Sequence, residues 1–136
     1  MNSGQLAAQL VIDEDKRHKL YKDSVGEWSI GVGRNLDDIG LSDDEINYLL
    51  KNDIGRAVAQ LDALLPWWRK LNEKRQNVLA NMCFNMGINS LMKFKNTLQA
   101  MQEGRFDDAA SGMLSSLWAQ QVGQRAIRLA KEMKEG

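Results

Sequence analysis

One stretch limits the architecture more than any other: the long periodic segment that opens at Ser42 and is stopped by Pro66. Ser42-Asp43-Asp44-Glu45 is a capping box, in which the serine hydroxyl accepts from the backbone N–H three residues on and the glutamate reaches back. Behind it, Ile46, Leu49, Leu50, Ile54, Ala57, Val58 and Leu61 follow the 3.6-residue period. Proline lacks the N–H that would continue the ladder, so the helix ends before Pro66. A helix of this length is held by burying its apolar stripe, so the rest of the chain must pack around it.

The two flanks differ in texture. Residues 4–14 (GQLAAQLVIDE) carry Leu6, Leu10 and Ile12 with Ala7 and Val11 between them, which predicts a short amphipathic helix ending near Asp13-Glu14. From Leu20 to Leu36 the sequence is glycine-rich and alternates apolar with small or polar residues at Trp28, Ile30 and Val32, the pattern of short strands joined by tight turns. After Pro66 the periodicity is helical throughout. Helices are expected from Asn72 to Met86, from Leu91 to Glu103, around Phe106 to Leu114, and from Gln124 to Lys134, with Gly87 and Gly104 marking two of the ends.

The fold class is therefore α+β: a small antiparallel hairpin lobe joined by a long helix to a mainly helical lobe. Its 136 residues suit one domain, with the N-terminal helix and hairpin over 1–41, the connecting helix over 42–62 and the helical lobe over 63–136.

Composition excludes several functions. The single cysteine, Cys83, permits no intramolecular disulfide, and with one histidine, His18, no Cys/His metal cluster can form. Cys83 lies in an apolar run and reads as core. Eighteen basic residues balance eighteen acidic ones, which argues against a nucleic-acid-coating protein. The balance hides a split: residues 1–66 hold 7 Lys/Arg and 12 Asp/Glu, residues 67–136 hold 11 and 6. A basic second half alone is weak support for nucleic-acid binding, because Arg125, Arg128, Lys131 and Lys134 are interleaved with Glu132 and Glu135. The apolar patch from Leu6 to Ile12 is too short for a signal sequence and no stretch reaches the ~18–20 apolar residues of a membrane span, so a soluble, cytoplasmic and monomeric chain is expected.

Two carboxylates stand out. Glu14 near a helix end and Asp23 in the hairpin are separated by enough chain to face one another and divide acid and base work. The alternative is a solvated face, since Asp13, Asp15 and Glu27 sit nearby among Lys16, Arg17, Lys19 and Lys22.

The run Glu14-x8-Asp23-x5-Ser29, followed by Ile30-Gly31-Val32-Gly33, resembles the phage-type muramidases, the lysozyme family of bacteriophage T4, whose signature is Glu, eight residues, Asp, five residues, Thr, then Ile-Gly-x-Gly. Tyr21-Lys22, Asn81-Met82-x-Phe84-x-Met86-Gly87, Phe94-x-Asn96-Thr97-Leu98, Trp118-x-x-Gln121 and Arg125-Ala126-x-Arg128 recur in the family's order, so the resemblance covers almost the whole chain. There are departures. The loop after Arg34 is shorter and the chain stops soon after Arg128. Asp15 replaces a usual glycine, Arg34 a histidine and Ser29 a threonine. Arg34 is expected to pair with Asp53 where the family uses its histidine.

The resemblance implies a cofactor-free, metal-free hydrolase of peptidoglycan, cutting the β-1,4 bond between N-acetylmuramic acid and N-acetylglucosamine with inversion. In it Glu14 is the general acid, its proton retained by the negative end of its helix and by shielding, while Asp23 with Ser29 activates a water. Arg125 restrains Glu14, or is simply a surface cation. Asn35, Phe84, Asn85 and Thr97 match substrate-contact positions, although Phe84 beside Met82 and Met86 also fits a core residue; a further contact, an asparagine in the family, falls on Gly112. Trp67 and Trp68 suit either packing or stacking on sugar rings. The implied setting is a phage endolysin held in the host cytoplasm until a holin releases it to the wall. A wall-binding or phage-tail module with weak catalysis is the alternative.

Overall fold

A computed structural model describes residues 1–136 and divides them into two compact units, Met1–Tyr48 and Leu49–Gly136.

The first unit begins with α1 (Ser3–Glu14), whose N-cap Asn2 accepts from Gln5 N. Three strands follow, β1 (Arg17–Lys22), β2 (Trp28–Gly31) and β3 (Arg34–Asn35), paired antiparallel in the order β1-β2-β3. Tyr21 lies opposite Ser29, and Ser29 opposite Asn35, so Ser29 occupies the centre of the sheet and is buried. The sheet starts earlier than expected, because β1 is built from charged residues that show no apolar alternation.

The unit closes on the start of α2 (Asp43–Leu64), where the capping box forms as read: Glu45 N donates to Ser42 Oγ at 3.2 Å and Ser42 N to Glu45 Oε1 at 2.9 Å. Arg34 does not use Asp53. Its guanidinium pairs with Glu45 at 2.7 Å and donates to Gly40 O at 3.1 Å, while Asp53 pairs with Arg56 one helical turn on. The capping carboxylate, already pinned at the helix start within the same unit, receives the side chain leaving β3.

The second unit holds the core. After α2 come a 3₁₀ turn (Pro66–Lys70), α3 (Glu73–Met86), α4 (Ile88–Leu91), α5 (Lys95–Gln102), α6 (Phe106–Leu114), α7 (Leu117–Val122) and α8 (Gln124–Glu135). The continuous helix expected over 91–103 is broken: Lys93 and Phe94 donate back to Ser90 and Leu91 as tight turns, and a new helix starts at Lys95. Apolar spacing carries through that break, which hid it. Ala57 and Leu61 of α2, Val78, Leu79, Met82 and Cys83 of α3, and Ala126, Leu129, Ala130 and Met133 of α8 are buried together in one apolar cluster. Cys83 is core as expected, and burial pushes its thiol pKa up. Arg75 of α3 ties the far end: it donates to the carbonyls of Met133 and Lys134 and stacks its guanidinium over Phe106.

Candidate active site

Glu14 is the last helical residue of α1, and the chain turns sharply at Asp15, the only non-glycine residue with positive φ (65°). The turn carries the Glu14 side chain to Gly33, between β2 and β3. A Cβ placed on Gly33 would stand 3.0 Å from Glu14 Oε2, and φ there is +72°. Glycine is thus favoured at 33 by its backbone angle, and a side chain there would crowd the carboxylate. Within its own unit the residue is exposed.

Asp23 sits where β1 turns into β2. Its Oδ1 accepts from the backbone N–H groups of Val25 (3.0 Å) and Glu27 (2.9 Å), and Asp23 N donates to Glu27 O at 2.8 Å. The side chain therefore shapes the turn that holds it, the usual use of an aspartate at such a position. Both bonds fall on one oxygen, and Oδ2 has no protein partner.

Two side chains finish this face of the first unit. Ser29, one residue past Trp28 on the central strand, is 2% exposed. Asn35 donates to Glu27 Oε2 and accepts from Asp38 N at 3.0 Å, so half of its side-chain hydrogen-bonding capacity is used internally. Glu27 is the carboxylate that sequence reasoning passed over; its link to Asn35 is visible only once β2 and β3 are paired.

The remaining site residues belong to the helical unit. Arg125 of α8 donates through Nε (2.9 Å) and Nη2 (2.7 Å) to Asn81 Oδ1 on α3, which adds Asn81 to the candidate residues. The block Asn81-Met82-x-Phe84 held the only sequence signal for it. Phe84, one turn along α3, is 46% exposed and is not a core residue. With Asn81 and Arg125 it lines a cavity of about 430 Å³. The alternative of a core residue does not hold for Phe84, since Met82 is buried while the ring two positions on points away from the core. Asn85 accepts from Trp118 Nε1 at 2.8 Å, and Thr97 is buried against Gly112.

Residues 13–133 match the phage lysozyme family, a span that includes every site residue named above. Over 96% of its length the chain is 27% identical to Probable T4-type lysozyme 2 of Dictyostelium discoideum, of which it covers 94%. It is 29% identical to the pre-baseplate central spike protein Gp5 of Enterobacteria phage T4 over 91% of the chain, and 27% identical to peptidoglycan hydrolase gp36 of Pseudomonas phage phiKMV over 98%. The chain spans only 26% and 17% of those two longer proteins. The Dictyostelium alignment runs over 160 positions against 136 residues, so that relative has segments this chain lacks.

Proposed function

Since the chain belongs to the phage lysozyme family and is accordingly a lysozyme-type glycoside hydrolase, we propose that it cuts the β-1,4 bond between N-acetylmuramic acid and N-acetylglucosamine in peptidoglycan, with inversion at the anomeric carbon. Glu14 protonates the leaving glycosidic oxygen. Asp23 takes a proton from the attacking water, which Ser29 helps to position.

The observation that supports this division of labour most directly is the geometry of Asp23. Backbone donors fix one of its oxygens and leave the other without a partner, the state in which a general base is held in place and can still accept a proton. Glu14, beside Gly33 at the end of α1, is the complementary acid, and Arg125 on Asn81 with Phe84, Asn85, Thr97 and Asn35 are the proposed supporting and substrate contacts.

Replacing Glu14 by Gln tests the reading. Release of reducing sugar from purified walls should fall to background while circular dichroism stays unchanged; a Glu14→Gln protein that still cuts would overturn it. An anhydro-muramyl product would instead identify a transglycosylase, which needs no water-activating base.

The proposed setting is lysis of a bacterial host, with a holin opening the route to the wall; no helix of the chain is long and apolar enough to cross a membrane. The similarity to the spike protein Gp5 favours a second setting, action from a virion at entry. Lysis on co-expression with a pore-forming protein supports the first, and recovery of the chain in purified particles the second.

A further inference from the structure

The two tryptophans after Pro66 have different surroundings. Trp68 is 3% exposed, its Nε1 donates to Asp62 Oδ1 at 2.7 Å, and Arg69, itself paired with Asp62, lies over its ring at 4.5 Å. These contacts account for Trp68 entirely and anchor the short 3₁₀ turn.

Trp67, held by that turn, is half-buried against the core, and its Nε1 makes no hydrogen bond within the protein. It lines an open cavity of about 650 Å³ made wholly by the helical unit, a volume within the usual range of small-molecule sites. Buried Leu65 and Leu98 give the cavity an apolar floor. The rim is polar: Gln99 donates its amide to Glu103 Oε1 at 3.0 Å, which orients the amide and leaves its oxygen free, and Gln102 and Lys95 have no side-chain partners. Glu103 is itself paired with Arg105 at 2.8 Å. The cavity thus offers one aromatic wall, an apolar floor, two amides, one unspent cation and one carboxylate already compensated.

That combination selects its occupant. A pyranose ring is amphipathic, with a C–H face that stacks on an aromatic ring and an edge of hydroxyl and acetamido groups that exchange hydrogen bonds with neutral donors and acceptors. An acidic polymer would call for a surplus of cations, and an apolar helix for a rim without unsatisfied amides and charge. We propose that the Trp67 cavity is a carbohydrate-binding site for an uncharged N-acetylhexosamine segment, through which the helical unit grips the glycan strand. The class of sugar follows from the cavity; that the strand is that of the bacterial wall rests on the function proposed above.

The experiment uses the full chain carrying Glu14→Gln, so that no strand is cut, and N-acetylglucosamine tetramer as the probe. The Trp67 indole N–H resonance, identified by its absence in Trp67→Phe, should shift saturably on titration. Adding Trp67→Ala should weaken pelleting with purified walls roughly two- to tenfold, the range expected for one aromatic contact. Because the ring also packs on the core, Gln102→Ala and Lys95→Ala, both at exposed positions, give a second reading that does not depend on folding, and each should weaken the titration. An unmoved Trp67 resonance, or pelleting unchanged in Trp67→Ala together with titration unchanged in Gln102→Ala and Lys95→Ala, overturns the proposal. The unsubstituted chain separates the two ideas. If it releases reducing sugar from walls while Trp67 stays silent, only the cavity proposal falls; if Trp67 responds but no sugar is released, only the muramidase reading falls.

Discussion

Thr97 on α5 occupies the space that a side chain at position 112 of α6 would need: a Cβ built on Gly112 overlaps Thr97 Oγ1. A mid-helix glycine ordinarily costs about 1 kcal/mol relative to alanine, so its presence here reflects close approach of the two helices. Gly112→Ala should therefore destabilise by about 1 kcal/mol in urea unfolding, the overpacking cost of ~1–3 kcal/mol exceeding the gain in helix propensity. Combined with Thr97→Ala the loss should be smaller than the sum of the single changes. A Gly112→Ala protein more stable than the parent would show that Thr97 turns aside freely.

Asp15 poses the opposite problem, a side chain where glycine would be relaxed. At φ 65° and ψ 152° it occupies backbone space that is essentially glycine's own, and the local bond from Lys16 N to its Oδ1 at 2.9 Å offsets only part of the cost. Asp15→Gly should stabilise the chain by about 1 kcal/mol, the relief of strain less the entropy glycine loses on folding. Thermal unfolding checks it, and a lower midpoint would contradict it.

Glu45 supplies the pH dependence. Its hydrogen bond to Arg34, then those from Ser42, hold its pKa at about 2, against an ordinary 4.5. A carboxylate whose folded pKa is depressed adds stability that is complete above the unfolded pKa and is lost as pH falls toward the folded one. Wild type should therefore exceed Glu45→Gln in stability at pH 6, with the difference closing between pH 4.5 and 2. Glutamine keeps the capping-box geometry, so the comparison isolates the ion pair. The pair is about one-third exposed, so added salt should shrink the difference. A gap constant across this window would remove Glu45 as its source.

Arg75 joins three elements with one side chain. It donates to Met133 O (2.8 Å) and Lys134 O (3.1 Å) at the end of α8, and its Cζ lies 3.4 Å from the centre of the Phe106 ring on α6. Arg75→Met should cost roughly 2 kcal/mol, from the lost carbonyl bonds and the lost cation–π contact. Arg75→Lys should fall between, because an ammonium can sit over the ring but lacks the fork that reaches two carbonyls. Equal stability of the Lys and Met variants would leave no share for the ring contact.

These cases separate what could be read along the chain from what could not. Ser42 with Glu45 and Gly87 as a helix end are local devices, and each stands where local chemistry put it. The places of Glu14 at a helix end and of Asp23 in the hairpin turn were legible, and the turn-shaping use of Asp23 agrees with its residue type. Arg34 was misassigned because its partner is chosen by where β3 delivers the side chain, and Asn81 went unassigned because its role depends on Arg125, forty-four residues away. The exposure of Phe84 and the break before Lys95 follow from how α3 and α5 pack, which hydrophobic periodicity does not record.

Asp23 has two duties that substitution can separate. Its Oδ1 holds the N–H groups of Val25 and Glu27, and its Oδ2 is the proposed proton acceptor. Asp23→Asn keeps a carbonyl oxygen for the turn and removes the base, so the hairpin should persist with stability near the parent's while kcat falls by about 10²–10⁴, the usual loss for a general base. Asp23→Ala removes both, and should lose about 1 kcal/mol of stability as well, since two turn donors then have only water. Amide exchange at Val25 and Glu27 distinguishes the two variants: slow in the Asn protein, fast in the Ala protein. Wall cleavage undiminished in Asp23→Asn would show that no base is needed, and would turn the assignment from hydrolysis toward an acid-only mechanism through Glu14.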